Sequence, residues 1–417
     1  MKRLPATSVY YGLEFALSAP SYVFTAVFLV RDLHMSPLQL ILMGTVMEAA
    51  VFAGEVPTSI VADTYSRRAS IIVSLFVQGA AIVLVGLAPS PTVAIVAWGI
   101  WGFGWTFMSG AWEAWITDEV GAENVGPVFL RGTRVSFVGA FLGLGLQGAI
   151  ATQSLRASVV AGGALTIASG LVAAFVMPET GFQRRPREER ASPAAELRTT
   201  ALTGARFVRA QPLLLLMIAI TFFEGMSTET VDRLWEAHFI RDIGLPSFWS
   251  LDPVVWFALF SVPVLPIGYF ASGRLAKRFE GADARRLART LMLLTAVMMV
   301  TQFAFGLATA LALAYGALLV YRVARSLVYP IYMTWLNQQI TESSVRATVI
   351  SITNQSDAIG QALGGPGLGV IGNVWGIRAA LCTGAAVIAP ALGLYGRALR
   401  HGGREPELGD LPQASPV

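Results

Sequence analysis

Charged and aromatic side chains inside otherwise apolar stretches are where this sequence could do chemistry. Three carboxyls stand in such runs, Glu14, Glu224 and Asp357, together with two guanidiniums, Arg322 and Arg325. A charge in hydrocarbon costs at least about 2.5–3.5 kcal/mol, so each of these groups needs a partner, water or a task. Glu14 shares a face with Tyr11, Ser18, Ser21 and Thr25, with Tyr10 and Tyr22 at its margins; at 100° per residue the five fall within about 80° of a helix. Thr221, Glu224, Thr228 and Asp232 repeat the arrangement, and Trp235 continues it one turn further. These faces predict two helices turned toward water or a ligand. On one reading Glu14, Glu224 or Asp357 binds and releases a proton, with Tyr11, Ser18, Tyr22, Thr228 and Asp232 contacting substrate; on the other, hydroxyls simply satisfy the carboxylates. Asp357 can neutralise only one of Arg322 and Arg325, so the pair is either structural or leaves a guanidinium free to bind an organic anion. Trp98, Trp101, Trp105, Trp112 and Trp115, at increments of 3, 4, 7 and 3, predict a stripe of about 100°. Facing a cavity, Trp101, Trp105 and Trp112 would offer stacking surfaces to a flat or cationic amphiphile; facing lipid, the stripe is bulk and anchoring.

The elements that must position these groups are long apolar helices. Of 417 residues, 54% are hydrophobic and 13% charged, about half the charged fraction of a soluble domain. Apolar runs predict spans at 7–30, 38–62, 70–88, 92–117, 130–152 and 157–177, then at 212–236, 253–272, 287–306, 310–336, 347–371 and 376–396. The domain reading is a six-helix bundle over 1–177, a polar linker over 178–211, a second six-helix bundle over 212–396 and a tail over 397–417. With both termini cytoplasmic, 23 of the 30 Lys and Arg fall on the cytoplasmic side and 5 outside, the asymmetry expected of a multi-pass protein of the cytoplasmic (inner) membrane. The single cysteine, Cys382, and the scattered His34, His238 and His401 give no metal spacing. No cofactor, nucleic-acid partner or enzyme activity is expected, and no phosphate-binding G-x-x-x-x-G-K-[ST] loop is present.

The halves repeat faintly. Glu14 and the run Arg31-Asp32-Leu33 recur 210 residues later as Glu224 and Arg241-Asp242-Ile243, while Arg131, Thr133 and Ser136 recur at an offset of 215 as Arg346, Thr348 and Ser351. Such repetition predicts a binding site near the midplane between two related bundles.

After the second span the sequence reads Ser59-Ile60-Val61-Ala62-Asp63-Thr64-Tyr65-Ser66-Arg67-Arg68, which resembles the G-x-L-A-D-R-x-G-R-R signature of the major facilitator superfamily (MFS). Ala62, Asp63, Arg67 and Arg68 match; Ser59 and Ser66 replace glycines and Thr64 the first arginine. Gly273-Arg274-Leu275-Ala276-Lys277-Arg278 is a degenerate second copy. The resemblance implies an all-α membrane protein with the MFS fold, two six-helix bundles related by pseudo-twofold symmetry, with helices one, four, seven and ten around a cavity. It also implies a latch, in which Asp63 meets the second half near the start of helix eleven and Arg67 or Arg68 pairs with Asp118. The drug/proton antiporter pattern is incomplete: helix four has no arginine, and helix five keeps Gly139, Gly143, Gly145 and Gly148 without the proline.

The expected function is secondary active transport: proton-coupled efflux of a small amphipathic compound by alternating access, by a monomer whose partners are substrate, protons and the bilayer. The alternatives are proton-linked uptake or exchange of an organic anion, and a non-transporting receptor or scaffold on the same fold.

Overall fold

The computed structural model describes residues 4–20, 22–182, 206–246, 253–263, 267, 283–340 and 346–401. Most of the linker, the second signature copy and most of the tail lie outside these residues, as do the side chains of Tyr22 and Arg346.

The described residues form fifteen α-helices: α1 (Ala6–Ser18), α2 (Tyr22–Arg31), α3 (Pro37–Thr64), α4 (Arg67–Leu87), α5 (Pro91–Thr106), α6 (Ala111–Val120), α7 (Val125–Ala151), α8 (Leu155–Val176), α9 (Pro212–His238), α10 (Pro253–Ser261), α11 (Ala284–Leu307), α12 (Leu311–Gln339), α13 (Arg346–Trp375), α14 (Ile377–Val387) and α15 (Ala389–His401). Nine segments among them are long and apolar enough to cross a membrane. Starts follow local signals. Ser36 and Gln39 close a capping box on α3, and Ser66 and Ser154 accept hydrogen bonds from the third residue of α4 and α8.

Three expected spans are not single α-helices. The first is interrupted between α1 and α2 around Pro20, and the last breaks at Ile388, just before Pro390, between α14 and α15; proline removes a backbone donor in each case. The fourth breaks between α5 and α6, where Gly110 takes φ of +74°, a conformation that favours glycine. The seventh, 212–236, is one α-helix that runs on to His238 and continues into a π-helical turn, Phe239–Ile243.

Packing sorts the helices into two groups. Within the first, α4 lies against α5 and α8, and α1 against α7; within the second, α9 lies against α13 to α15, and α11 against α12. The same device joins α1 to α7 and α9 to α13: a Cβ on Gly143 would collide with the Ala19 backbone, and one on Gly360 with Phe222 O. Small residues let these backbones touch where hydrophobic burial gives helices in lipid little reason to associate.

The groups meet along a seam made chiefly by α3 and α13, joined by α9 against α2 and α3. The end of the bundle that carries the linker is called here the linker end, and the opposite end the far end. At the far end the seam is closed: Leu38 N–H donates to Asn373 Oδ1 (2.9 Å), Arg241 donates to Met35 O (2.6 Å), and Gly372 packs on Pro37. Toward the linker end Gln355 Nε2 of α13 donates to Glu55 Oε2 of α3 at 3.3 Å. Beyond it Tyr65 is 59% exposed.

Candidate functional site

Glu14 sits in an aromatic and hydroxyl cage within the first group. Trp112 Nε1 donates to its Oε1 (2.9 Å), the Ser136 hydroxyl donates to Oε2, and Tyr10 stacks on Trp112 with centroids 5.1 Å apart. Tyr11 lies edge-on to Tyr10 at 5.8 Å. Ser18, expected to touch substrate, donates to the backbone carbonyls of Glu14 and Phe15. That use follows from its place at the end of α1, where carbonyls lose their helical donors. The polar face therefore does not run as one stripe: it stops at Ser18, and Thr25 on α2 lines a different space.

The tryptophan stripe is also divided. Trp98, Trp101 and Trp105 stack in a ladder along α5, with centroids 5.3 and 6.0 Å apart, from buried Trp98 to Trp105, which is 42% exposed. The break at Gly110 places Trp112 and Trp115 elsewhere, Trp112 on Glu14 and Trp115 donating to Pro178 O at 2.8 Å. Trp112 is thus a partner of Glu14 rather than a continuation of the ladder.

In the second group Glu224 is buried. Its Oε1 accepts from Thr295 Oγ1 (2.9 Å) and Tyr395 Oη (3.2 Å). A cavity of about 370 Å³ opens beside it, lined by Glu224, Thr228, Arg325, Tyr329, Tyr332, Asn354 and Asp357 among others. Nearer the far end is a second cavity, also about 370 Å³, lined by Thr25, Met43, Trp98, Asp232, Trp235, Glu236 and Arg322. Arg325 lines the first and Asp232 the second, and the two are hydrogen bonded, so their ion pair stands in the wall between the cavities. Each side chain is 37% exposed.

This arrangement corrects the expected pairing of Asp357 with an arginine. Asp232 of α9 takes Arg325, and Asp357 instead accepts from Gln361 Nε2 at 2.7 Å. Arg322 has its guanidinium 4.1 Å from the centre of the Trp235 ring. A cation on an indole face gains by attraction to the ring quadrupole, most where water is excluded.

Sequence reasoning missed three residues of α9. Glu229, 1% exposed, accepts from Arg233 Nε at 3.0 Å, and Glu236, 4% exposed, faces the second cavity. They lie about 120–180° around the helix from Glu224 and so fall off the stripe built on it. Their own spacing, Glu229, Arg233 and Glu236 at i, i+4 and i+7, is the signal that would have found them. Glycine makes room for the pair: a Cβ on Gly44 of α3 would strike Glu229 Oε1 and come within 2.7 Å of Arg233.

The signature residues gather at the linker end of the first group. Arg67 bonds Asp118 and donates to Ala114 O (2.9 Å). The Arg68 side chain donates to Ala174 O (2.6 Å), and its N–H donates to Glu179 at the start of α4 (2.9 Å). Asp63 lies 3.6 Å from Arg67 of its own group and is 63% exposed; the residues before α13 and the first side chains of α13, where the second half was expected to meet it, lie outside the described residues.

The description Major Facilitator Superfamily matches residues 9–365. The chain is 23% identical over 360 residues to an uncharacterized MFS-type transporter, YxaM, of Bacillus subtilis (strain 168), covering 86% of each. It superposes on a nucleoside transporter, NupG, with a TM-score of 0.75 at 10% identity, covering 95% of this chain and 98% of that one. A bacterial homolog of the human lysosomal transporter Spinster, solved inward-facing and unoccupied, gives 0.73 at 16% identity over 96% and 98%. At such identities the structural likeness establishes the fold alone, whereas the family match spans most of the sequence. With its helical seam, paired cavities and signature residues, the chain belongs to the Major Facilitator Superfamily and is an MFS-type membrane transporter.

Proposed function

We propose that the chain is a secondary active transporter that exports a small amphipathic compound in exchange for protons by alternating access. In this reading it crosses the cytoplasmic membrane twelve times as two related bundles, with the linker end and both termini in the cytoplasm. The nine apolar segments are then joined by α1 with α2, by the span that begins at α10, and by α13, whose 30 residues reach about 45 Å.

The observation that carries the reading is the layout of the core: the seam is hydrogen bonded at the far end, and the Asp232–Arg325 pair stands between a cavity on the linker side and one on the far side. A carrier needs such a layout, since its site must reach one side at a time. Glu224 is the coupling group favoured here: it lines the linker-side cavity and holds hydroxyl partners that serve it charged or neutral. Six carboxyls, Glu48, Glu224, Glu229, Asp232, Glu236 and Asp357, stand with three arginines, Arg233, Arg322 and Arg325, around this core. That excess favours substrates with a positive nitrogen. One observation favours the organic-anion alternative: Arg322 makes no ion pair among the described residues.

Proteoliposomes with an imposed pH gradient test the proposal. Gradient-driven movement of amphipathic compounds that carry an amine, reduced about 10-fold or more in Glu224→Gln while gradient-free exchange persists, is the expected result. Flux indifferent to the gradient in the unaltered protein would overturn it.

A further inference from the structure

Two charged groups in the far-side cavity are left over by the ion pairs around them. Asp232 is taken by Arg325 and Arg233 by Glu229. Glu236 is 4% exposed, and its Oε2 is buried without a hydrogen bond among the described residues. Arg322 lies on the Trp235 face, within electrostatic reach of Glu236, and no ion pair joins the two among the described residues. A buried carboxylate oxygen and a buried guanidinium both lose hydration, and each recovers that loss only through a partner. Here an acceptor and a donor fork line one cavity of about 370 Å³ without meeting across it.

We infer that this cavity is a binding site for a small zwitterion, with the ammonium on Glu236, the carboxylate on Arg322 and an apolar body against Trp98 and Met43. The inference rests on the transport reading above and narrows its substrate class. Its chemistry is that of an α-amino acid with a flat or branched apolar side chain: Arg322 suits a planar carboxylate through paired N–H donors, and Glu236 accepts from an ammonium. The volume fits this size, near the lower limit of ligand pockets. A lone amine would leave Arg322 without its anion, and a lone acid would leave Glu236 without its donor. Discrimination against both follows from the cost of a buried group left unpaired.

The test is binding of L-tryptophan, L-leucine, tryptamine and 3-indolepropionate to the full chain in detergent or nanodiscs, read by calorimetry. At least one of the two amino acids is expected to bind roughly 10-fold or more tightly than the amine and the acid. Glu236→Gln should weaken the amino acid and the amine and spare the acid; Arg322→Gln should weaken the amino acid and the acid and spare the amine. Equal binding of amine and amino acid, or binding of neither amino acid at millimolar concentration, would overturn the inference, and both are read on the unaltered protein whatever the variants do to folding. Proteoliposome flux separates the two claims. Gradient-driven amine flux without amino-acid binding removes this site and leaves the transport reading; amino-acid binding without any gradient-driven flux does the reverse.

Discussion

Glu14 and Glu224 occupy equivalent places in the two halves, 210 residues apart, yet their surroundings differ in kind. Glu14 is held by an indole and a serine hydroxyl, with Tyr10 stacked alongside. Glu224 is fully packed beside a cavity, on a helix that also carries Glu229, Asp232, Arg233 and Glu236. The two positions, 210 residues apart, therefore carry two chemistries. The first half supplies aromatic surface, a tryptophan ladder from buried Trp98 to exposed Trp105. The second supplies nearly all the charge. The repeat identifies where a polar helix lies and says little about what that helix does.

The largest effect that could break this contrast concerns Asp232 and Arg325. Arg325→Gln leaves Asp232 without its partner between the cavities, and transport in proteoliposomes should fall by about 100-fold. Because the pair is partly exposed, thermal unfolding should show a loss of only about 1–3 kcal/mol, much of it regained in the Asp232→Asn/Arg325→Gln double variant without return of transport. Full flux in the single variant would move the functional centre elsewhere.

A sharper comparison sets the two glutamates against each other. Glu224→Gln should lower gradient-driven flux by about 10-fold or more while exchange continues. Glu14→Gln should keep gradient stimulation and lose about 1 kcal/mol of stability through weaker bonds from Trp112 and Ser136. The reverse ranking would assign coupling to the first half.

Much of the architecture was legible because apolar runs, Ser-Pro starts and small-residue faces act locally. The onset at Pro37 of α3 and that at Pro91 of α5 lie within a residue of the expected spans. The site was less legible for two physical reasons. A single angular stripe through Glu224 cannot include Glu229, Arg233 and Glu236, since α9 has different neighbours around it, the linker-side cavity beside Glu224 and Thr228, and Gly44 of α3 with the far-side cavity beside Glu229, Arg233 and Glu236. The tryptophan stripe assumed a continuous helix, and one glycine at positive φ divides it. Which arginine meets which aspartate depends on helix rotation in three dimensions, so Asp357 could not be told from Asp232 by depth alone.

Smaller perturbations probe the seam and the cage. Gly44→Leu pushes a side chain into the Glu229–Arg233 pair and should cost about 1–3 kcal/mol or shift the far end toward opening, read by labelling of introduced far-end cysteines. Trp112→Phe keeps the stack on Tyr10 and removes one donor to Glu14; a melting shift equivalent to about 1 kcal/mol with transport intact is expected.

The central claim, one site reached from two sides in turn, is tested most directly by two spin-label distances in a Cys382→Ala background. One pair, at Tyr65 and Asn337, spans the linker end; the other, at Gln153 and Trp375, spans the far end, and all four positions are exposed. On imposing substrate and a pH gradient in liposomes, the linker-end distance should shorten as the far-end distance lengthens. Distances that stay fixed, or that change together in the same direction, would contradict the account.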